Sequence, residues 1–204
     1  KRILLSHAIG YGDYADPEIV RATMFIRANM LAKGYSGTRP EIVVLLCSLL
    51  NNNIIPAVPK YGSVGASGDL APLAHIAMVL VGAPHSKAFV NGTIISGSDL
   101  KKILFEIYSG ELDDFYRKNN IDVDYVLLNE NAIDSNEFLL NLSYKESLSL
   151  INGTDFESAI MAIAIHRIKN LFNASLLSLA LTIEALRGII DAFDALPIDL
   201  LNHN

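Results

Sequence analysis

A glycine-rich segment, GSVGASGDLAPLAH at positions 62–75, holds the residues best suited to chemistry. Its three glycines within seven residues permit positive φ angles and close backbone approach directly before a predicted helix N-terminus. The spacing differs from the G-x-G-x-x-G of dinucleotide-binding loops, and no lysine follows the glycines as a phosphate-binding loop requires. A nucleophile elbow needs glycine on both sides of the serine, whereas Asp69 occupies one of these positions. On residue types alone, a glycine-rich helix cap remains the alternative.

The histidines give neither a hydrolase triad nor a metal site by their spacing. A Ser67–His75–Asp69 triad can be drawn, but it lacks the elbow, and one helix places Asp69 and His75 poorly for a mutual hydrogen bond. The other histidines show no metal-ligand spacing, so we expect no metal.

The glycine-rich segment resembles, residue for residue, the signature of the aromatic amino-acid ammonia-lyases, and in particular the histidine ammonia-lyases. Members of this family convert an Ala-Ser-Gly triplet into a 4-methylidene-imidazol-5-one (MIO) ring. The resemblance therefore implies an autocatalytic MIO from Ala66, Ser67 and Gly68, and no external cofactor. The amide nitrogen of Gly68 is the least hindered one for attack on the Ala66 carbonyl, and Ser67 then loses its hydroxyl as water. Asp69 opens the following helix, whose dipole favours electron density flowing into the ring, so we count it among the catalytic residues.

The element Leu5-Ser6-His7-Ala8 resembles the family segment that distinguishes substrates. Histidine lyases carry Ser-His, tyrosine lyases resemble His-Leu, and phenylalanine lyases have an apolar residue in place of the histidine. Ser6 and His7 therefore indicate L-histidine, a small amino acid, as the substrate, with the His7 imidazole as a polar partner. A buried structural histidine is the alternative for His7.

A second segment, KESLSLINGT at positions 145–154, resembles the family element whose asparagine lies against the MIO group. This assigns Asn152, whose amide can hydrogen-bond the ring carbonyl or the incoming amine. Thr154 is predicted to cap a long helix, so that two helix N-termini converge, which would suit a substrate carboxylate. Asn91 begins the same tripeptide, but it lies in a predicted hairpin turn, and we reject it.

Together these resemblances imply a histidine ammonia-lyase of histidine catabolism, which eliminates ammonia from L-histidine without oxidation and forms urocanate. Two alternatives stay open. One is another MIO enzyme, a tyrosine ammonia-lyase or an aminomutase. The other is an inactive helical fragment whose triplet stays uncyclised.

Composition excludes several classes of protein. The 204 residues carry 16 basic and 22 acidic side chains, and this net charge of −6 excludes an ordinary basic nucleic-acid-binding domain. Apolar residues make up 51% and charged residues 19%, enough apolar surface to bury a sizeable core. The single cysteine, Cys47, indicates a reducing compartment, so we expect a cytoplasmic protein. The apolar stretch 171–183 is interrupted and falls short of the ~18 apolar residues of a membrane span, so we expect no membrane.

The elements that position these residues are predicted mainly as helices. The predicted elements are a helix starting at Asp16-Pro17-Glu18, a capping-box start at Thr38-Arg39-Pro40-Glu41 with a helix to Leu50, a helix from Asp69 to Gly82, a hairpin from Lys87 to Ile95, a short helix from Ser98-Asp99 to Tyr108, a capping box at Ser143-Tyr144-Lys145-Glu146, and a long helix over 155–195. The predicted fold class is mainly α, an elongated helical bundle of the ammonia-lyase type with a small irregular or hairpin segment around 85–97.

We expect residues 1–204 to form one MIO-bearing, mostly helical portion of a longer lyase, with a surface insertion at 111–137. The chain begins at Lys1 without a methionine, and it lacks the family's tyrosine-bearing loop and its C-terminal substrate contacts, so alone it is expected to be inactive. A helix over 155–195 would be ~60 Å long and needs partners, which together with the resemblance predicts a homotetramer.

Overall fold

The computed structural model describes residues 2–64, 68–122 and 127–201. These residues form eight α-helices and five short strands, which confirms a mainly helical fold class. In chain order the elements are α1 (Arg2–His7), β1 (Tyr11–Tyr14), α2 (Pro17–Ala32), α3 (Pro40–Asn51), β2 (Ile54–Pro56), β3 (Pro59–Tyr61), α4 (Leu70–Leu80), β4 (Lys87–Val90), β5 (Thr93–Ser96), α5 (Gly97–Asn119), α6 (Glu146–Ile151), α7 (Asp155–Ala185) and α8 (Ala195–Leu200). The chain divides into two compact units, 1–161 and 162–204.

The core of the first unit is built around α4, most of which is buried. The helices α1, α3 and α6 all pack against α4. Its sequence, LAPLAHIAMVL, is apolar on all sides, which is the pattern of a helix surrounded by other elements. The same core contains the fully buried side chains of Leu4, Met24, Leu31, Ile42, Leu45, Leu49 and Tyr108.

Two small antiparallel sheets complete this unit. One pairs β1 with β3, and the other has the strand order β2-β4-β5. The strands β4 and β5 form the predicted hairpin, in register from Lys87 opposite Ser96 to Val90 opposite Thr93. Its turn residues Asn91 and Gly92 both have positive φ, at 50° and 82°, as a two-residue hairpin turn requires.

The start of α2 confirms the sequence prediction, whereas the start of α3 corrects it. The side chain of Asp16 accepts a hydrogen bond of 3.0 Å from the Glu18 N–H, and Pro17 is the first helical residue. At α3 the N-cap is Arg39, not Thr38, because proline at position 40 holds the preceding residue in an extended conformation. Arg39 makes no side-chain cap bond to this helix.

The helix α5 is more than twice as long as the predicted helix to Tyr108. It continues to Asn119 because its buried stripe does not stop there: Leu104, Tyr108 and Leu112 follow one another at four-residue spacing. It ends where Asn120 adopts a left-handed conformation with φ 51°.

The predicted insertion at 111–137 therefore begins within α5. Most of its described side chains are exposed, although Leu112 and Leu127 belong to the core. The loop that ends this stretch is held by the buried ammonium group of Lys101, which donates to three backbone carbonyls, those of Ala132, Ser135 and Glu137. That the stretch is an insertion relative to the family stays a prediction.

The long helix α7 begins at Asp155 as predicted but ends at Ala185, ten residues before the predicted end at 195. A Schellman motif ends it: Arg187 has φ 52° and donates to the Glu184 carbonyl, and Gly188 donates to the Ile183 carbonyl.

By length and composition alone, the helical stretch 146–185 could cross a membrane. Core helices of soluble proteins meet the same criterion, so this is weak evidence for a span.

Candidate active site

In sequence the triplet falls between β3 and α4, within residues 62–69, which we call the triplet loop. Ala66 and Ser67 fall outside the described residues, whereas Gly68 is described. The Val64 N–H donates to the Gly68 carbonyl at 3.2 Å, so a backbone hydrogen bond joins the described residues on the two sides of the triplet loop. A second bond joins the same two ends, because the Ser63 hydroxyl donates to Asp69 Oδ1 at 2.6 Å.

Asp69 connects this loop to the long helix. Its side chain is fully buried, at 0% exposure, and it makes no cap bond to its own helix α4. Instead Asp69 Oδ2 accepts a hydrogen bond of 2.9 Å from the backbone N–H of Glu157, the third residue of α7. The N-termini of α4 and α7 therefore meet at one carboxylate. Thr154 lies directly before α7, as predicted for its cap, and its carbonyl accepts from the Ser158 N–H, but the third N–H of the helix is bonded by the side chain of Asp69.

Asn152 lies in the turn between α6 and α7, as the C-cap residue of α6. Its side chain is exposed, and its backbone carbonyl accepts a hydrogen bond of 2.6 Å from Arg27 Nη2. Because α7 begins three residues later, Asn152 is carried by the segment that leads directly to the α7 N-terminus where Asp69 binds.

Arg27 of α2 holds this turn, and the sequence analysis did not single it out. Its Nε donates to the Leu150 carbonyl at 3.2 Å, and its Nη1 donates to Asp155 Oδ2 at 2.9 Å. Burial lowers the pKa of Arg27, and the charge of Asp155 opposes this shift. Burial likewise raises the pKa of Asp155; Arg27 opposes this shift, and the nearby Asp69 adds to it.

A further pair fixes the start of α6. Arg39 binds the buried carboxylate of Glu146 through Nε at 2.8 Å and Nη2 at 2.7 Å, and the Ser143 N–H donates to the same group. Burial alone would raise the pKa of Glu146, but the hydrogen bonds from Arg39 and Ser143 outweigh it and hold the pKa below its usual range. The Ser143–Glu146 contact is one half of the predicted capping box. The helix nevertheless begins only at Glu146, after Lys145 with φ 67°.

Ser6 and His7 lie at the end of α1, which packs against both α4 and α6. His7 Nδ1 is 2.8 Å from the Ile3 carbonyl and 3.0 Å from Ser6 Oγ. A carbonyl can only accept, so the first contact requires the proton on Nδ1. In the neutral ring this leaves Nε2 as an acceptor.

The segment after His7 is anchored beside the triplet loop. The Gly10 N–H donates to His75 Nε2 at 3.1 Å, and burial lowers the pKa of His75, which favours the neutral ring that accepts this bond. A Cβ on Gly62 would lie 3.3 Å from Gly10 Cα and 3.1 Å from Ala71 Cβ, so these backbones touch at the first turn of α4. His75 thus binds the backbone after α1, and Asp69 binds Ser63 and Glu157, which is not a hydrolase arrangement.

The helices α1, α4 and α6 pack on one another, and the predicted site residues lie at or next to their ends: His7 at α1, Gly68 and Asp69 at α4, and Asn152 at α6. Within the described ranges, no three His, Cys, Asp or Glu side chains are grouped so that they could hold a metal ion.

Comparison with known proteins identifies the family. The sequence pattern of the aromatic amino acid lyases matches residues 1–204. The chain belongs to the aromatic amino acid lyase family. A histidine ammonia-lyase from Caldanaerobacter subterraneus subsp. tengcongensis is 38% identical over 194 residues, which are 95% of this chain and 32% of that relative. The chain therefore spans about a third of the length of the curated relative it matches.

Solved structures of this family share the fold. The phenylalanine aminomutase of Pantoea agglomerans superposes with a TM-score of 0.72 at 28% identity, covering 100% of this chain and 33% of that one. The histidine ammonia-lyase of Trypanosoma cruzi superposes with a TM-score of 0.66 at 27% identity, covering 93% of this chain and 31% of that one.

Proposed function

We propose that the full-length protein containing this chain is a histidine ammonia-lyase, which eliminates ammonia from L-histidine and releases urocanate. The observation that carries this proposal is the triplet loop, closed by two hydrogen bonds and tied through Asp69 to the N-terminus of α7. Membership of the family and the 38% identity to a histidine ammonia-lyase support it.

The described residues around the loop fit an MIO group formed from Ala66, Ser67 and Gly68. Such a ring needs the loop ends close together, and the bonds Val64 to Gly68 and Ser63 to Asp69 hold them so. The group would supply an electrophile for the substrate amine. The N-termini of α4 and α7 place partial positive charge beside the triplet loop, which would stabilise negative charge that develops on the ring.

We assign two further roles from this chain. The exposed amide of Asn152 can donate to or accept from the incoming amine, and the Arg27-held turn fixes its backbone. His7, with Nδ1 engaged in its own helix, offers Nε2 to the N–H of an imidazole substrate. We infer that the full-length protein supplies the base that removes the proton β to the carboxylate. We also infer that the full-length protein assembles as a homotetramer.

The test uses the full-length protein with L-histidine, L-tyrosine and L-phenylalanine in separate reactions. From histidine we expect ammonia and urocanate, and we expect an intact mass that is lower than the sequence mass by two waters. In Ser67→Ala both the lyase activity and this mass difference should be lost. As a control, Ser109→Ala removes a hydroxyl that donates to the Phe105 carbonyl of its own helix α5, and it should retain activity. Unchanged lyase activity in Ser67→Ala would refute the proposal.

An aminomutase is the second candidate, because the aminomutase of Pantoea agglomerans superposes on the whole chain. Formation of a β-amino acid, without free ammonia, would favour it over the lyase. A mass equal to that of the unmodified sequence would instead show an uncyclised triplet.

A further inference from the structure

Arg27 makes three hydrogen bonds to the turn between α6 and α7, and the proposed reaction gives this arginine no role of its own. It is 5% exposed and lies on α2, more than 120 residues away in sequence from every acceptor it binds. Its Nε, Nη1 and Nη2 each donate to a different group, and these groups lie on both sides of the Asn152 side chain: the Leu150 carbonyl, the Asp155 carboxylate and the Asn152 carbonyl.

The contact depends on the planar shape of the guanidinium group. Its nitrogens have a fixed relative geometry, so donation to three acceptors at 3.2, 2.9 and 2.6 Å restricts the positions of all three at once. Gly153 allows this close approach, because a Cβ there would lie 2.6 Å from Arg27 Nη1 and would also collide with Asp155 Oδ2. Lysine carries the same charge but lacks the rigid fork, so it cannot define the turn in the same way.

Stability alone is a weak reason for such a pair. Taking a guanidinium and a carboxylate out of water is costly, and well-packed apolar residues often stabilise a fold as well as a buried ion pair does. The side chains of Arg27 and Asp155 are 6% and 4% exposed, so this cost applies to both. A role in fixing the conformation of the turn between α6 and α7 accounts for the buried pair, whereas a contribution to stability does not.

We propose that Arg27 is a positioning residue, which orients the Asn152 side chain by holding the backbone on both sides of it. This inference rests on the proposed function, in which the Asn152 amide contacts the reacting amine. Arg27 itself binds backbone carbonyls and a carboxylate and acts through Asn152.

The experiment is a double-mutant cycle in the full-length protein between Arg27→Lys and Asn152→Ala. The alanine variant keeps the backbone carbonyl that Arg27 binds, so it removes only the amide. We expect Arg27→Lys to lower kcat for histidine by about 100-fold with a much smaller change in KM, since a misplacement of about 1 Å has that effect. In the Asn152→Ala background the same change should lower kcat by less than about 3-fold, because the oriented group is already absent.

The matched control is Arg21→Lys on the same helix. Arg21 also binds a turn, through the Leu50 carbonyl and the Asn53 side chain, but that turn carries no predicted site residue. It should retain wild-type kcat. Hydrogen exchange of the amides at 152–154 should accelerate in Arg27→Lys and not in Arg21→Lys.

The outcomes separate this inference from the proposed function. Equal losses from Arg27→Lys in the wild-type and Asn152→Ala backgrounds would overturn the positioning role, since a structural defect acts independently of the amide. Unchanged hydrogen exchange at 152–154 in Arg27→Lys would overturn it even if the wild-type protein released no urocanate, which is the failure of the proposed function. If Arg27→Lys does not fold, Gly153→Ala displaces the guanidinium sterically, and the same cycle with Asn152→Ala applies to it.

Discussion

Replacing Asp69 by alanine tests the bridge between the triplet loop and α7. Its buried carboxylate accepts from the Ser63 hydroxyl and from the third N–H of α7. A hydrogen bond to a charged group contributes about 1.5–3 kcal/mol and a helix cap about 1 kcal/mol. Ser63 is exposed, so its hydroxyl can turn to water, and the lower part of the first range applies. We therefore expect Asp69→Ala to lower the free energy of unfolding by about 2.5–3 kcal/mol.

Asp69→Asn should cost less, about 1–2 kcal/mol, because its amide oxygen still accepts from the α7 N–H. The assay is urea unfolding of the full-length protein, followed by circular dichroism, for Asp69→Ala, Ser63→Ala and the double variant. Since the two side chains share a bond, the double variant should lose at least about 0.5 kcal/mol less than the sum of the single variants. Ser109→Ala serves as the control serine. Strict additivity of the Ser63 and Asp69 costs would refute the bridge.

Three further predictions concern stability, each measured by urea unfolding of the full-length protein. Burial lowers the pKa of His75 below 6.5, so just below pH 6.5 the unfolded chain binds more protons than the folded chain does. The free energy of unfolding should therefore decrease as the pH falls through this range, and it should decrease less steeply in His75→Gln. Burial alone would raise the pKa of Glu146, but Arg39 holds this pKa below 4.5. The stability that the pair contributes is therefore present above pH 4.5 and is lost as the pH falls through the lowered pKa. In Glu146→Gln this loss of stability on the acid side should be smaller. Gly82→Ala should destabilise by about 2–4 kcal/mol, because Gly82 has φ 58° and a Cβ would strike a buried leucine, whereas Gly110→Ala within α5 meets nothing within 4 Å and should stabilise by about 0.5–1 kcal/mol. An equal effect of the two alanines, or unchanged pH slopes in the other variants, would contradict the respective argument.

The parts of the fold that sequence predicts well are those encoded by adjacent residues. Asp16 and Pro17 specify a helix start by local bonding, and Asn91-Gly92 specifies a hairpin turn by its positive φ angles. The glycine-rich triplet segment is recognisable for the same reason, since its chemistry depends on neighbouring residues. Ser6, His7 and Asn152 were assigned by resemblance, and their roles stay predictions.

The residues that position the site were missed because their partners are distant in sequence. Arg27 binds groups 123 to 128 residues away, and no local pattern indicates such a pairing. The available signal was an arginine on the buried stripe of α2, next to Ala28 and between Met24 and Leu31, where an unpaired charge would be costly. The contact of Asp69 with the start of α7 was missed for the same reason, because this carboxylate lies 88 residues before the N–H that it binds.

The polar contacts described for Arg27, Arg39 and Asp69 have a consequence for the order of folding. All three bind the segment 146–157, at sequence separations of 125, 107 and 88 residues. Such contacts form only after long loops close, so the entropy of closure must be overcome before they contribute. During synthesis on the ribosome, the loop of Asp69 stays without its last anchor until residue 157 has been added. A chain that terminates before this residue retains the triplet but lacks the helix end that secures its loop.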